Sequence, residues 1–263
     1  MRSYADTVAS ITPFGTESMI EAAASYAPAA YRDCAWRYPE LDHGKAILRS
    51  EEALNCYLAA YGMMHAVKMV SALNHLPSAA LAGEFDVVDW GCGQGLATMC
   101  LLDILETESP GSMPRTITLA DASEAALARA RLHVSLKTGR RADVRCIRVR
   151  LSRGFCNARR AAPSSRVVVH LLSNIIDVPG IDTGAIAESI FASGRDNYVV
   201  CAGHANTVNA ADMFCRQLHG QGASMIYRYN EPYAWQLPNG KEFGGDLRLL
   251  CCAGAGRGIA WRA

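Results

Sequence analysis

The 263-residue chain carries ten cysteines, yet no two stand as Cys-x-x-Cys and none pairs with a His-x3-His spacing. A zinc centre is therefore not expected. Free thiols in apolar strands, such as those holding Cys146, Cys201 and Cys251, fit a reducing compartment. Long apolar runs are missing too. No stretch reaches the roughly 18 apolar residues of a membrane-spanning helix. Residues 1–15 hold one arginine, an early Asp6 and no apolar leader core, so the expected location is cytoplasmic, away from membranes. Charge of one sign is scarce as well: 26 basic against 25 acidic residues leave +1, so no global field draws the chain to nucleic acid. Internal repeats and low-complexity segments are absent. What is abundant is core material. Half the residues are hydrophobic and only 19% are charged, which excludes wholesale disorder.

The first 80 residues contain no β-like run and read as helical. Ser18-x-x-Glu21 has the form of a capping box before an Ala-rich helix ending near Pro28. Ser50 caps a second helix whose Glu51 and Glu52 suit its positive end, running to about Leu76 before Pro77. We expect 1–80 to form a cap on a main domain spanning 81–263. From Glu84 onward strands and helices alternate, with strands at 85–90, 116–121, 144–150, 166–172 and 197–203. Helices fit at about 95–107, 123–137, 181–193 and 207–220, and an antiparallel pair at 223–229 and 246–253 follows. Such alternation predicts an α/β fold with a mostly parallel sheet and helices on both faces. Apolar runs such as Val167-Val168-Val169 fit a sheet covered on both sides.

The chemistry-bearing motif is Phe85-Asp86-Val87-Val88-Asp89-Trp90-Gly91-Cys92-Gly93-Gln94-Gly95, followed at once by a helix. Glycine tolerates left-handed backbone and lets a ligand approach closely. A turn at the carboxyl end of a central strand is where open α/β sheets bind ligands. The dinucleotide pattern Gly-x-Gly-x-x-Gly requires a small residue where Leu96 stands. The observed Gly-x-Gly-x-Gly, with Asp89 before it, instead resembles the class I S-adenosylmethionine-dependent methyltransferases over roughly residues 84–253. That resemblance implies a seven-stranded, mostly parallel sheet, S-adenosyl-L-methionine as cofactor and S-adenosyl-L-homocysteine as product. It implies cofactor contacts from Asp89, Trp90, Gly91, Cys92, Gly93, Gly95, Asp121, Ala122, Ser152 and His170. Asp121, at the end of the second strand, takes the position of the family's ribose-binding acid, a carboxylate accepting from a vicinal diol.

Two family features are missing. The third strand leads into Leu151-Ser152-Arg153 without an acid, which leaves Ser152 or a backbone group to meet the adenine amine. The Asn-Pro-Pro-Tyr motif for exocyclic amines is absent after the fourth strand, so Asn174 reads equally as a turn residue or as a substrate contact. Asp177 reads as a helix cap or a substrate-orienting group. On the cap, Tyr57, Tyr61, His65 and Lys68 share one helical face. Tyr61 and His65 join Asn174 as candidates for the catalytic site. The other reading of that face is simple packing, with Lys68 reaching water. An Arg-rich stretch, 137–160, reads either as an RNA-docking stripe or as the charged edge of a sheet; the edge is favoured. Three functional readings remain: a methyltransferase on a small molecule, which is favoured, one on RNA or protein, and a non-catalytic cofactor-binding module.

Overall fold

The structure, a computed structural model, describes residues 2–28, 39–152, 165–192, 195–204, 208–236 and 242–254. Arg153, Arg159 and Arg160 of the basic stretch lie outside the described residues, as do Cys34 and Cys156.

The strands are β1 Phe85–Trp90, β2 Thr116–Asp121, β3 Asp143–Arg148, β4 Val167–Ser173, β5 Asp196–His204, β6 Ser224–Gln236 and β7 Glu242–Gly254. They form one sheet in the order β3-β2-β1-β4-β5-β7-β6. The parallel part numbers five strands, β3 through β5 in that order. It is extended by β7, antiparallel to β5, and by β6, antiparallel to β7. Between β1 and β4 the chain reverses its direction of travel across the sheet, which creates a crevice at the carboxyl ends of these strands.

Helices α1 Tyr4–Ala9 and α2 Thr16–Tyr26 precede a 3-10 turn, Pro39–Gly44. Then come α3 Glu51–Tyr57, a π-helical turn Leu58–Gly62, and α4 Met63–Leu73. The long 50–76 helix expected from sequence is continuous over residues 51–73, with the π-helical turn in its middle. The capping box at Ser18 is also displaced. Ser18 lies inside α2, and its hydroxyl accepts from the Gly15 N–H at 3.0 Å. Ser50 caps α3, accepting from Ala53 N–H at 3.1 Å. The remaining helices, α5 Leu96–Glu108, α6 Glu124–Thr138, α7 Thr183–Phe191 and α8 Val208–Gly220, alternate with the strands.

Alternation along each strand separates two cores. Phe85, Val87, Ile117, Leu119, Val169 and Val200 pack beneath α5, α6 and the N-terminal helices. Val88, Ala120, Val168, Leu172 and Val199 face α7 and α8, against Ile186, Phe214 and Leu218. The N-terminal helices therefore share a core with the sheet. A polar network holds them there. Arg129 of α6, nearly buried, donates to Asn55 Oδ1 at 2.5 Å, pairs with Glu51 and covers the Tyr4 ring at 3.7 Å. His133, also on α6, bonds Tyr4 Oη and the Gln94 carbonyl, each at 2.9 Å. One imidazole thus links the N-terminal helices to the glycine turn.

Candidate functional site

The chain after β1 turns through three glycines with left-handed backbone, at φ 64, 52 and 82 for Gly91, Gly93 and Gly95. Each is glycine for a different local reason. A methyl group on Gly91 would stand 1.7 Å from Ile175 Cδ1 of the β4 loop. One on Gly95 would press on Ala130 Cβ at 3.3 Å, where α6 crosses the start of α5. One on Gly93 would meet no atom within 4 Å. Gly93 alone opens onto free space.

That space is a cavity of about 310 Å³ at the carboxyl ends of β1, β2 and β4. Its walls include Gly91, Gly93, Asp121, Ala122, Ser152 and Asn174, all residues picked out by the sequence. Asp121 is clamped by backbone donors: Gly93 N–H reaches Oδ2 at 2.9 Å and Ser123 N–H reaches Oδ1 at 2.7 Å. Burial raises its pKa, while the N–H bonds from Ser123 and Gly93 oppose the rise. Each carboxylate oxygen retains acceptor capacity beyond the bond it holds. Val149, Leu151 and Ile181 supply apolar wall, and Gly44–Leu48 of the cap forms the opposite side. This last segment has no periodic pattern by which the sequence would mark it.

Other candidates stand back from the cavity. Asp89 is fully buried and accepts from Thr98, Oγ1 at 2.8 Å and N–H at 3.3 Å. Its Oδ1 has no partner among the described residues. Burial lifts its pKa to about 7, against the pull of the Thr98 bonds. Cys92 is buried behind the turn, its N–H bonded to Ala120 O at 3.0 Å. Trp90 and His170, like Asp89, Cys92 and Gly95, do not line the cavity. Trp90 Nε1–H donates to His170 Nδ1 at 3.1 Å, so Nε2 carries the proton toward Asn197 Oδ1 at 3.0 Å. Both imidazole nitrogens are thereby satisfied inside the sheet. Burial pushes the His170 pKa down to about 4, with the Asn197 bond opposing.

On the cap, Tyr57 reaches the cavity wall; Tyr61 and His65 do not line it. Tyr61 stacks on His65, with centroids 5.8 Å apart, and Tyr57 stands 5.4 Å from Tyr61. These two residues support Tyr57 from behind. Lys68 departs most from the sequence reading. It does not reach water but is 1% exposed, with Nζ 2.5 Å from Asn174 Oδ1. Burial lowers its pKa to about 7, although Asp177 nearby raises it. Asn174 adopts left-handed backbone, φ 53, a conformation that asparagine tolerates better than most residues. Its N–H is bonded to Ala202 O at 2.7 Å.

Among the described residues, three of the six basic side chains in this stretch, Lys137, Arg145 and Arg148, are ion-paired. Arg148 meets Glu124 at 3.1 Å, Arg145 meets Asp143 at 2.7 Å, and Lys137 meets Asp103 and Glu106 at 2.6 and 2.5 Å. The β3 strand forms a sheet edge. Cys146, expected buried, is exposed on it. Among the described residues no His, Cys, Asp and Glu cluster could hold a metal ion, and no helix is long and apolar enough to cross a membrane.

No protein-family model matches the sequence, and no curated protein matches it. Solved structures do resemble it. A magnesium protoporphyrin IX methyltransferase from Synechocystis PCC 6803, with bound S-adenosylmethionine, is similar over 86% of this chain and 96% of its own, at 13% identity and TM-score 0.49. A precorrin-6y C5,15-methyltransferase from Geobacter metallireducens is similar over 73% of this chain and 86% of its own, at 12% identity and TM-score 0.47. A ribosomal protein L11 methylase from Lactobacillus delbrueckii is similar over 73% and 78%, at 11% identity and TM-score 0.40. These neighbours are methyltransferases with different named substrates, and at such scores the likeness carries no argument about what this chain binds.

Proposed function

We propose that the chain is an S-adenosylmethionine-dependent methyltransferase acting on a small molecule, with 81–263 as the catalytic domain and 1–80 as its cap. One observation carries this reading: the single glycine of the turn that is open to space, Gly93, faces a cavity into which Asp121 projects from the neighbouring strand. The residues present fit such a cofactor. Asp121 retains lone pairs for a ribose diol, and Val149, Leu151 and Ile181 offer apolar surface to a purine. Ser152 supplies a polar group at the same wall, and Tyr57 offers an aromatic face to positive charge.

When bound, this cofactor supplies a methyl group on a positively charged sulfur, which leaves as a neutral thioether with the bond's electrons once an in-line nucleophile takes the methyl. The chain's own part is placement and exclusion of water. Gly93 N–H fixes the Asp121 carboxylate, Gly91 lets the β4 loop close up through Ile175, and the Gly44–Leu48 segment roofs the cavity. Holding two reactants at attack distance is worth about 7–11 kcal/mol of barrier, so a strong general base is not required. The paired charges along β3 support the small-molecule reading over an RNA-docking surface.

Titration calorimetry with S-adenosylhomocysteine tests the proposal. The wild type binds one equivalent. Asp121→Ala weakens binding by about 10-fold or more, the loss expected for charge-assisted hydrogen bonds. Absence of binding, or unchanged affinity in Asp121→Ala, sinks the assignment.

A further inference from the structure

At the carboxyl end of β4 the cavity wall changes character. Ser173 and Asn174 line it side by side, and Lys68 stands directly behind Asn174. The orientation of the Asn174 carboxamide follows from its partners. The atom 2.5 Å from Lys68 Nζ is the carbonyl oxygen, and in its ammonium form the lysine, which only donates, holds it there. The amide nitrogen then points to Ser173 Oγ, 3.1 Å away. Of its two hydrogens, one is taken by Ser173, and no described residue takes the other. The Ser173 hydroxyl, accepting from Asn174, keeps its own hydrogen to give. Asn174 Nδ2–H and the Ser173 hydroxyl hydrogen both remain to donate, with Lys68 behind Asn174, and the Ser173 oxygen keeps one lone pair besides. Asp177, close enough to raise the Lys68 pKa, supplies counter-charge without lining the cavity.

We propose that this corner of the cavity binds the methyl acceptor as an oxyanion, a carboxylate or an ionised phenol, through Asn174 Nδ2–H and the Ser173 hydroxyl with the Lys68 charge behind them. The inference rests on the methyltransferase reading for the word acceptor, but the anion site belongs to the chain itself. An exocyclic amine is disfavoured by the same geometry. Such an amine needs an acceptor beside it; the Asn174 carbonyl oxygen is occupied by Lys68, which leaves only the second lone pair of Ser173 Oγ. An acceptor that enters ionised brings its own lone pair to the new oxygen–carbon bond and has no proton to lose. No base is then needed at this corner, in keeping with the two donors it presents. Lys68 is a positioning residue in this scheme. It fixes which end of Asn174 faces the cavity.

Binding of two ring-matched probes, benzoate and aniline, decides the matter, measured by ligand-observed NMR with and without S-adenosylhomocysteine. Benzoate is expected to bind at least about 10-fold more tightly than aniline, the ratio given by one charge-assisted hydrogen bond. Lys68→Met, similar in volume, weakens benzoate by a similar factor and leaves S-adenosylhomocysteine affinity unchanged. Asn174→Asp keeps the left-handed backbone and exchanges donor for acceptor, so it reverses the preference even where Lys68→Met folds poorly. Equal binding of the probes, failure of benzoate to bind, or a preference unchanged in Asn174→Asp overturns the proposal. Benzoate selectivity in a protein that does not bind S-adenosylhomocysteine upholds the anion site and overturns the methyl-transfer reading alone.

Discussion

Adding a methyl group at Gly91 places it 1.7 Å from Ile175 Cδ1, on backbone already left-handed, whereas the same change at Gly93 meets no atom. The two substitutions therefore separate structure from binding. Gly91→Ala is expected to destabilise by about 1–3 kcal/mol through overpacking, and Ile175→Ala to restore part of that loss. Gly93→Ala bears only backbone strain of about 1–2 kcal/mol, yet it loses cofactor affinity. Thermal melts and S-adenosylhomocysteine titrations on the three variants check this; equal losses of stability at both glycines contradict it. His133 offers a second residue-scale test. Burial pushes its pKa down to about 4 from 6.5. As pH falls below 6.5 the unfolded imidazole takes a proton and the folded one does not until about pH 4, so stability is lost across that window. Relative to His133→Gln, the wild type should lose about 2 kcal/mol between pH 7 and pH 5. Denaturant melts at the two pH values measure it, and a constant gap between the proteins refutes it.

Among the elements, the cap helices depend on α6 more than the sequence revealed. Arg129 is the buried partner and Glu51 the exposed one. Arg129→Met therefore strands no buried charge, and leaves chiefly the Asn55 carbonyl oxygen without its donor, about 1–3 kcal/mol. Hydrogen exchange should quicken over residues 39–62 while β1 and β4 keep their protection; uniform quickening would argue against a separately anchored cap. The strand and helix order was legible because strand–helix alternation and the glycine turn are local patterns. Gly93, Asp121, Ala122 and Ser152, named from the family resemblance that this turn carries, all line the cavity. The π-turn at Leu58–Gly62 was not legible, since its apolar spacing resembles that of a plain helix. Nor was the Gly44–Leu48 wall, a segment without period. Burial of Lys68 is decided by Asn174, 106 residues away, and no pattern on its own helix encodes that. The His170 partners were not legible either, because a histidine near the end of β4 looks the same in sequence whether its nitrogens face a ligand or Trp90 and Asn197.

For the molecule as a whole, near-zero net charge hides a basic edge that acids partly offset. Glu124 answers Arg148, and Asp103 with Glu106 answers Lys137. Binding to a single-stranded RNA oligonucleotide, read by fluorescence anisotropy, is expected to be no tighter than the general non-specific range of about 10⁻⁴–10⁻⁶ M. Arg145→Ala with Arg148→Ala should leave it unchanged. Submicromolar, salt-sensitive binding lost in that variant would instead restore the docking reading. The cavity is the centre of the account, and the location of the cofactor is its most direct test. Ultraviolet crosslinking of tritiated S-adenosylmethionine, followed by peptide mapping, should place the label on segments 44–57, 91–94, 121–126, 149–152 or 173–181. Label confined to other peptides, or none above a competitor-blocked control, would contradict it.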